Sequence, residues 1–304
     1  MSGGWNTIES DAGVFTELVD KLQVKDIAFE ELYSFDPETL QAIAPLYGVI
    51  FLFKYGEVDQ TSAPLDGEYD ESNESIFFAR QRIQNACATQ AVLNILLNRN
   101  DIDLGPELSN FKEFVGSFDS DLKGETISNS DLIRTIHNSF SSPNSFVDES
   151  QQSYKPDDDD ELFHFIGYVR IDGNLYELDG LKKAPINHGP CANDDEFIMK
   201  LPQVLQNRIM HYKEGELRFS LLGIVKDRRK VLSEIGDEDG LSREIAKRES
   251  WSKENELRRQ DLMGLVYQVV KSISSKQSDQ EWNETLNKAR TKGVSRILAK
   301  QLKK

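Results

Sequence analysis

The sequence predicts a mixed α/β (α+β) domain followed by a purely helical extension. Helical and strand periodicities alternate through the first half of the 304 residues. A strand-rich stretch with a two-residue turn signal, "FHFIGYVRIDGNLYELDGL", comes later. Beyond Lys226 the apolar pattern is helical only. This length suits one large domain plus a small addition.

Each element has its own signal. Val14, Phe15, Leu18, Val19 and Leu22 recur at helical spacing, with Ser10 or Asp11 placed to cap the helix. In "DPETLQAIAPL" Asp36 caps and Pro37 takes the first helical position. "GVIFLFKY" reads as a buried strand, and the Gly, Pro, Asp and Ser of residues 56–75 read as a loop. A helix starting at Cys87 and another over "NSDLIRTIHNSF" follow. Ser141 to Asp160, ending in "DDDD", is a long polar stretch, read either as an active-site lid or as a surface insert. The 163–181 stretch is a β-hairpin turning at Asp172-Gly173. "ELRFSLLGIV" supplies one more strand. In the tail, Leu257, Leu262, Leu265, Val266, Val269 and Ile273 make one apolar stripe, and Ser278 with Glu281 forms a capping box for a last helix.

Composition narrows the function classes. The longest apolar run, Tyr47 to Phe53, is far short of the roughly 20 residues of a membrane span, so no membrane role is expected. Met1 to Thr7 lacks the basic and apolar regions of a secretory signal. Two cysteines, Cys87 and Cys191, make no disulfide framework and fit a reducing compartment. No Cys or His pair has ligand spacing, so neither metal nor cofactor is expected. The net charge of −16 is unevenly spread: residues 241–304 carry 15 Lys/Arg against 8 Asp/Glu, leaving 21 against 44, or −23, for the rest. An acidic body argues against nucleic acid and for a basic partner surface, or serves solubility alone.

The chemistry centres on "QNACATQAVLNILL". A cysteine at a helix N-terminus meets free N–H groups and the positive end of the helix dipole, which favour the thiolate. The same cysteine is also compatible with a small buried filler. A nucleophile needs a base, and the base an orienting group. A two-residue turn pairs Ile171 with Asn174 and sets His164 opposite Leu181. Asp179 then lies two residues along the partner strand, on the face of His164 and within diagonal reach. His137 lies in a helical pattern with no acid at a fixed strand distance, His188 in a Pro/Gly-rich turn and His211 at the end of an amphipathic segment, so all three read as structural or solvated; Cys191 has no visible base. An oxyanion donor is also required. Gln81, Gln84 and Asn85 all supply amides, and spacing alone does not choose among them.

These blocks, with "ESDAGVFTELV" near the start, closely resemble the ubiquitin C-terminal hydrolases, a papain-like family of cysteine deubiquitinases, over residues 5–228. The resemblance implies a knotted, antiparallel-rich six-stranded sheet flanked by helices, with a crossover loop at about 141–160. It implies a catalytic domain over 1–228 and a helical extension over 229–304. Among the residues, it makes Cys87 the nucleophile, His164 the general base, Asp179 its orienting acid and Gln81 the oxyanion donor. Ubiquitin and its conjugates become the expected substrates, their basic residues suiting the acidic body. The tail, with "KENELRRQDLMGL", looks like that of the long-form member docked on a proteasomal ubiquitin receptor, which implies cytoplasm and nucleus. Related long forms join chromatin complexes, and a mainly ubiquitin-binding scaffold is the other reading.

Overall fold

A computed structural model describes residues 4–141, 162–212, 218–260 and 262–301. Apart from Ser141, the polar stretch Ser141 to Asp160 lies outside the described residues. The described residues form two compact units, the first running to Arg259 and the second beginning at Gln260.

In chain order the first unit contains α1 (Ala12–Lys21), β1 (Ile27–Glu31), α2 (Pro37–Ala42), β2 (Leu46–Lys54) and β3 (Glu68–Tyr69). Then come α3 (Cys87–Leu96), α4 (Gly105–Phe114), α5 (Ser120–Asn129) and α6 (Asp131–Asn138). The remainder is β4 (Phe163–Ile171), β5 (Asn174–Leu178), β6 (Ile186–Pro190), α7 (Asp194–Met210), β7 (Ser220–Lys226), α8 (Arg228–Ile235) and α9 (Glu238–Arg259). The predicted caps form: Asp11 accepts from Val14 N–H and Asp36 from Thr39 N–H.

The strands make one antiparallel sheet in the order β1-β7-β2-β4-β5-β6-β3. The six expected strands are therefore joined by a seventh. Residues 56–75, expected as loop, contribute the two-residue β3, which pairs with Asn187 and Ile186 on the edge of β6. Alternation along the strands divides the core in two. Ile50, Phe165 and Val169 pack under α1 and α3, whereas Val49, Phe51, Phe53, Ile166 and Tyr168 pack against α7.

The first unit passes beyond residue 228 because α9 lies on α1. Trp251 fills the space over Gly13, where an added Cβ would stand 2.6 Å from its ring. The Asn255 amide donates to the Gly13 carbonyl at 3.2 Å and to Glu17 at 2.7 Å. The second unit contains α10 (Met263–Ser274) and α11 (Asp279–Gln301). The expected single apolar stripe is thus split, with Leu257 on α9 and Leu265 to Ile273 on α10. No residue of α10 is buried, and Leu265 is 61% exposed. The Ser278–Glu281 capping box forms ahead of α11. No helix among the described residues is long and apolar enough to cross a membrane.

Candidate active site

The hairpin turn fixes the site. Asp172 and Gly173 both take positive φ, 46° and 77°, which matches the twist of a two-residue hairpin. Ile171 pairs with Asn174, and the register runs to Gly167 opposite Leu178. There β5 ends, so the ladder stops short of the expected His164–Leu181 pair. Asp179 nevertheless reaches the imidazole: its Oδ1 lies 2.7 Å from His164 Nε2. The same oxygen accepts the Leu181 N–H at 2.9 Å, which fixes the carboxylate in the turn. With Nε2 turned to Asp179, Nδ1 is the nitrogen left for Cys87, whose side chain acts with Asp179 to raise the imidazole pKa. The edges of Phe53 and Tyr55 hold the ring, at 5.7 and 5.9 Å between centroids.

His164 and Asp179 are 3% and 1% exposed, while Cys87 is half-buried. Burial alone would lower the His164 pKa, but the Asp179 carboxylate and the Cys87 side chain outweigh it and raise the group to about 9. Burial likewise pushes Asp179 up, yet the imidazole and the Leu181 N–H leave it below its ordinary value. The imidazole therefore carries its proton at neutral pH.

Cys87 opens α3 as expected, after a single 3₁₀ turn over Gln84–Ala86. The helix is not amphipathic: every residue from Ala88 to Leu96 is buried. It sinks against the sheet through two glycines. A Cβ on Gly167 would meet Ile95 at 2.8 Å, and one on Gly48 would meet Ile95 at 2.7 Å. Cys87, Ala91 and Ile95 lie four residues apart along α3, and Gly167 is three residues from His164 on β4. Gly167→Ala is expected to push α3 off β4, cutting kcat by about 10–100-fold, since small misplacements of reacting groups carry that cost. Adding Ile95→Ala should restore most of the loss. An unchanged kcat in the single variant would show that this contact does not set the Cys87–His164 geometry.

The three competing amides separate. The Asn85 Nδ2 donates to the Trp5 carbonyl at 2.9 Å, and Gln84 is exposed. Gln81 is half-buried, its backbone N–H donates to the Gly180 carbonyl at 2.8 Å beside Asp179, and its side-chain amide makes no hydrogen bond among the described residues. The Cys87 N–H donates to the Gln84 carbonyl, so Gln81 is the uncommitted donor.

The other candidates are structural. His137 is fully buried, accepting from the Thr89 hydroxyl at 2.7 Å and donating to the Asn6 carbonyl at 2.7 Å. Burial lowers its pKa and keeps it neutral. His188 meets Glu177 at 3.3 Å. His211 caps α7. Cys191 is buried, and burial pushes its thiol up. Sequence reasoning missed Arg208, which is 2% exposed and joins Glu177 at 2.6 Å and Asp59 at 3.0 Å behind Asp179. No group of three or more His, Cys, Asp or Glu among the described residues is gathered to hold a metal.

A cysteine opening a helix, an imidazole against it and a buried carboxylate on the far ring nitrogen define a thiol hydrolase of the papain-like class. The profile described as "Ubiquitin carboxyl-terminal hydrolase, family 1" matches residues 5–210. The chain belongs to that family of cysteine-type deubiquitinases. It is 45% identical over 300 residues to ubiquitin carboxyl-terminal hydrolase 2 of Schizosaccharomyces pombe, covering 96% of this chain and 98% of that one. Ubiquitin carboxyl-terminal hydrolase isozyme L5 of Dictyostelium discoideum is 48% identical over 231 residues, covering 76% and 64%. The solved Trichinella spiralis UCH37 catalytic domain, bound to ubiquitin vinyl methyl ester, aligns with a TM-score of 0.60 at 35% identity, covering 73% of this chain and 96% of that one.

Proposed function

We propose that the protein cleaves the bond after the C-terminal glycine of ubiquitin, with Cys87 as nucleophile, His164 as acid and base, Asp179 as orienting acid and Gln81 as oxyanion donor. The observation that carries this is the 2.7 Å His164–Asp179 hydrogen bond, on an imidazole whose pKa the Cys87 side chain also helps to raise. The Cys87 thiolate attacks the carbonyl carbon, and the Gln81 amide receives the developing oxyanion. The Cys87 N–H joins it only by releasing the Gln84 carbonyl. As the intermediate collapses, the C–N bond breaks and the amine leaves with the proton from His164, giving a thioester. His164 Nδ1 then takes a proton from water, whose oxygen attacks the thioester carbonyl; the C–S bond breaks, releasing ubiquitin and restoring the Cys87 thiolate beside protonated His164. The acidic body fits the basic surface of ubiquitin.

The exposed apolar residues of α10 support the second part of the reading: the tail docks on a proteasomal ubiquitin receptor, which places the enzyme in cytoplasm and nucleus. Because the first compact unit runs to Arg259, the test is a chain ending at Gln260 rather than at residue 228. Covalent capture by ubiquitin bearing a C-terminal electrophile is expected to persist in that chain, while binding to the receptor's adaptor domain is lost. Retained receptor binding would refute the docking role. No capture by the full chain would refute the ubiquitin substrate.

A further inference from the structure

Three further side chains on and just beyond the helix that presents Cys87 have no use in the thiol chemistry. Gln90 and Asn94 on α3 and Asn98 in the turn that follows it recur at four-residue intervals, and Gln90 and Asn94 are 3% and 1% exposed. All three grip the same extended, non-helical segment, residues 77–79. Asn98 Oδ1 accepts the Phe77 N–H at 2.8 Å, and its Nδ2 donates to the Phe77 carbonyl at 2.7 Å. Asn94 Oδ1 accepts the Ala79 N–H at 2.9 Å, and Gln90 Nε2 donates to the Ala79 carbonyl at 2.5 Å. Four backbone groups that a neighbouring strand would satisfy are satisfied by side chains of α3 and the turn that ends it.

The gripped segment leads to Gln81, two residues beyond Ala79. From there two more contacts complete the frame. The Arg80 N–H donates to the Ser120 carbonyl, and the Gln81 N–H to the Gly180 carbonyl, both at 2.8 Å. Glycines permit both approaches. A Cβ on Gly124 would stand 1.8 Å from the Arg80 carbonyl oxygen, and one on Gly180 would stand 3.1 Å from Gln81 Cβ.

We infer that Gln90 and Asn94 are positioning residues of the oxyanion site: they tie the placement of Gln81 to the same helix that places Cys87. The inference rests on the reading of Gln81 as the oxyanion donor. An oxyanion donor acts only if it stands where charge will develop, not where the ground-state carbonyl lies. A donor on a loop would drift relative to the nucleophile. Here the loop is laced to the flank of α3, so donor and thiol move as one body. Of the three amides, Gln90 stands closest to Gln81 in the lacing, and Asn98 furthest.

The test is a double-mutant cycle in the full-length enzyme, with a ubiquitin C-terminal fluorogenic amide as substrate and each preparation titrated for reactive Cys87. Gln90→Met keeps the length and removes the donor. In the parent it is expected to lower kcat by about 10–30-fold with KM nearly unchanged, and to leave alkylation of Cys87 by iodoacetamide at the parent rate. In a Gln81→Ala background, itself about 10²-fold slower, the same change should cost less than about twofold, because the group it positions is gone. An equal loss in both backgrounds, or a parallel loss of alkylation, would make Gln90 a structural residue only and overturn the inference. A Gln81→Ala variant with parent kcat would instead overturn the oxyanion reading beneath it. Asn94→Ser, run through the same cycle, decides the question should Gln90→Met fail to fold.

Discussion

Asp179→Asn is expected to lower kcat by about 10²–10³-fold and to move the alkaline limb of the pH–rate profile downward from near 9. A single oxygen, Asp179 Oδ1, accepts from both the His164 Nε2 proton and the Leu181 N–H. Both donors hold the carbonyl of an asparagine in the place of Oδ1, and its NH₂ falls where Oδ2 already lacks a partner. Ring orientation therefore survives, and what disappears is the negative charge. Without it, burial pulls the imidazole down from about 9, with only the Cys87 side chain left to oppose it. Each unit of that fall shifts the balance about tenfold from imidazolium toward neutral imidazole. The stability linkage has a definite sign. A histidine raised to about 9 contributes stability that is complete below 6.5 and lost as pH rises through 9. The variant should accordingly lose more stability at pH 6 than at pH 10. An alkaline limb left near 9 would show that Asp179 does not set the charge state of His164.

The largest expected loss of stability follows from Arg208→Met. The guanidinium lies buried between Glu177 and Asp59 and stacks over Phe53 at 4.8 Å. Removing it leaves two buried carboxylates facing each other, which costs about 3–5 kcal/mol. For a domain of this size the melting temperature falls by about 10 °C. Burial pushes Glu177 up, but Arg208 and His188 outweigh that and leave it below its ordinary 4.5. Its contribution is thus present above pH 4.5 and lost as pH falls. The gap between parent and variant should narrow below that pH, where a protonated Glu177 no longer needs its partner. A gap that stays constant with pH would assign the loss to packing alone.

The legible part of the fold and site was set by local rules. Asp172-Gly173 fixes a turn, the turn fixes parity, and parity puts His164 and Asp179 on one face. The caps at Asp11 and Asp36 and the box at Ser278 need only their own next turn. Other features depend on partners distant in sequence. The lacing by Gln90, Asn94 and Asn98 has a clear i, i+4, i+8 spacing, but its partner, residues 77–79, has no periodicity of its own. The place of α9 in the first unit escapes sequence patterning because the residues it buries are Gly240, Glu244 and Asn255, none of them a large apolar side chain. Its place in the first unit is decided by Trp251 over Gly13 and by the Asn255 amide. Arg208 reads from sequence as a surface residue of an amphipathic helix, and only Asp59 and Glu177, brought together by the sheet, explain its burial.

The central claim is that one thiol, activated by His164 on Asp179, does the chemistry on the C-terminus of ubiquitin. The most direct test is hydrolysis of a fluorogenic ubiquitin C-terminal amide by the full-length protein with Cys87→Ala alongside, ubiquitin binding being measured for both. The account predicts turnover by the parent, none above background in the variant, and equal ubiquitin binding by the two. Turnover that survives Cys87→Ala, or ubiquitin bound but never cleaved by the parent, would contradict it.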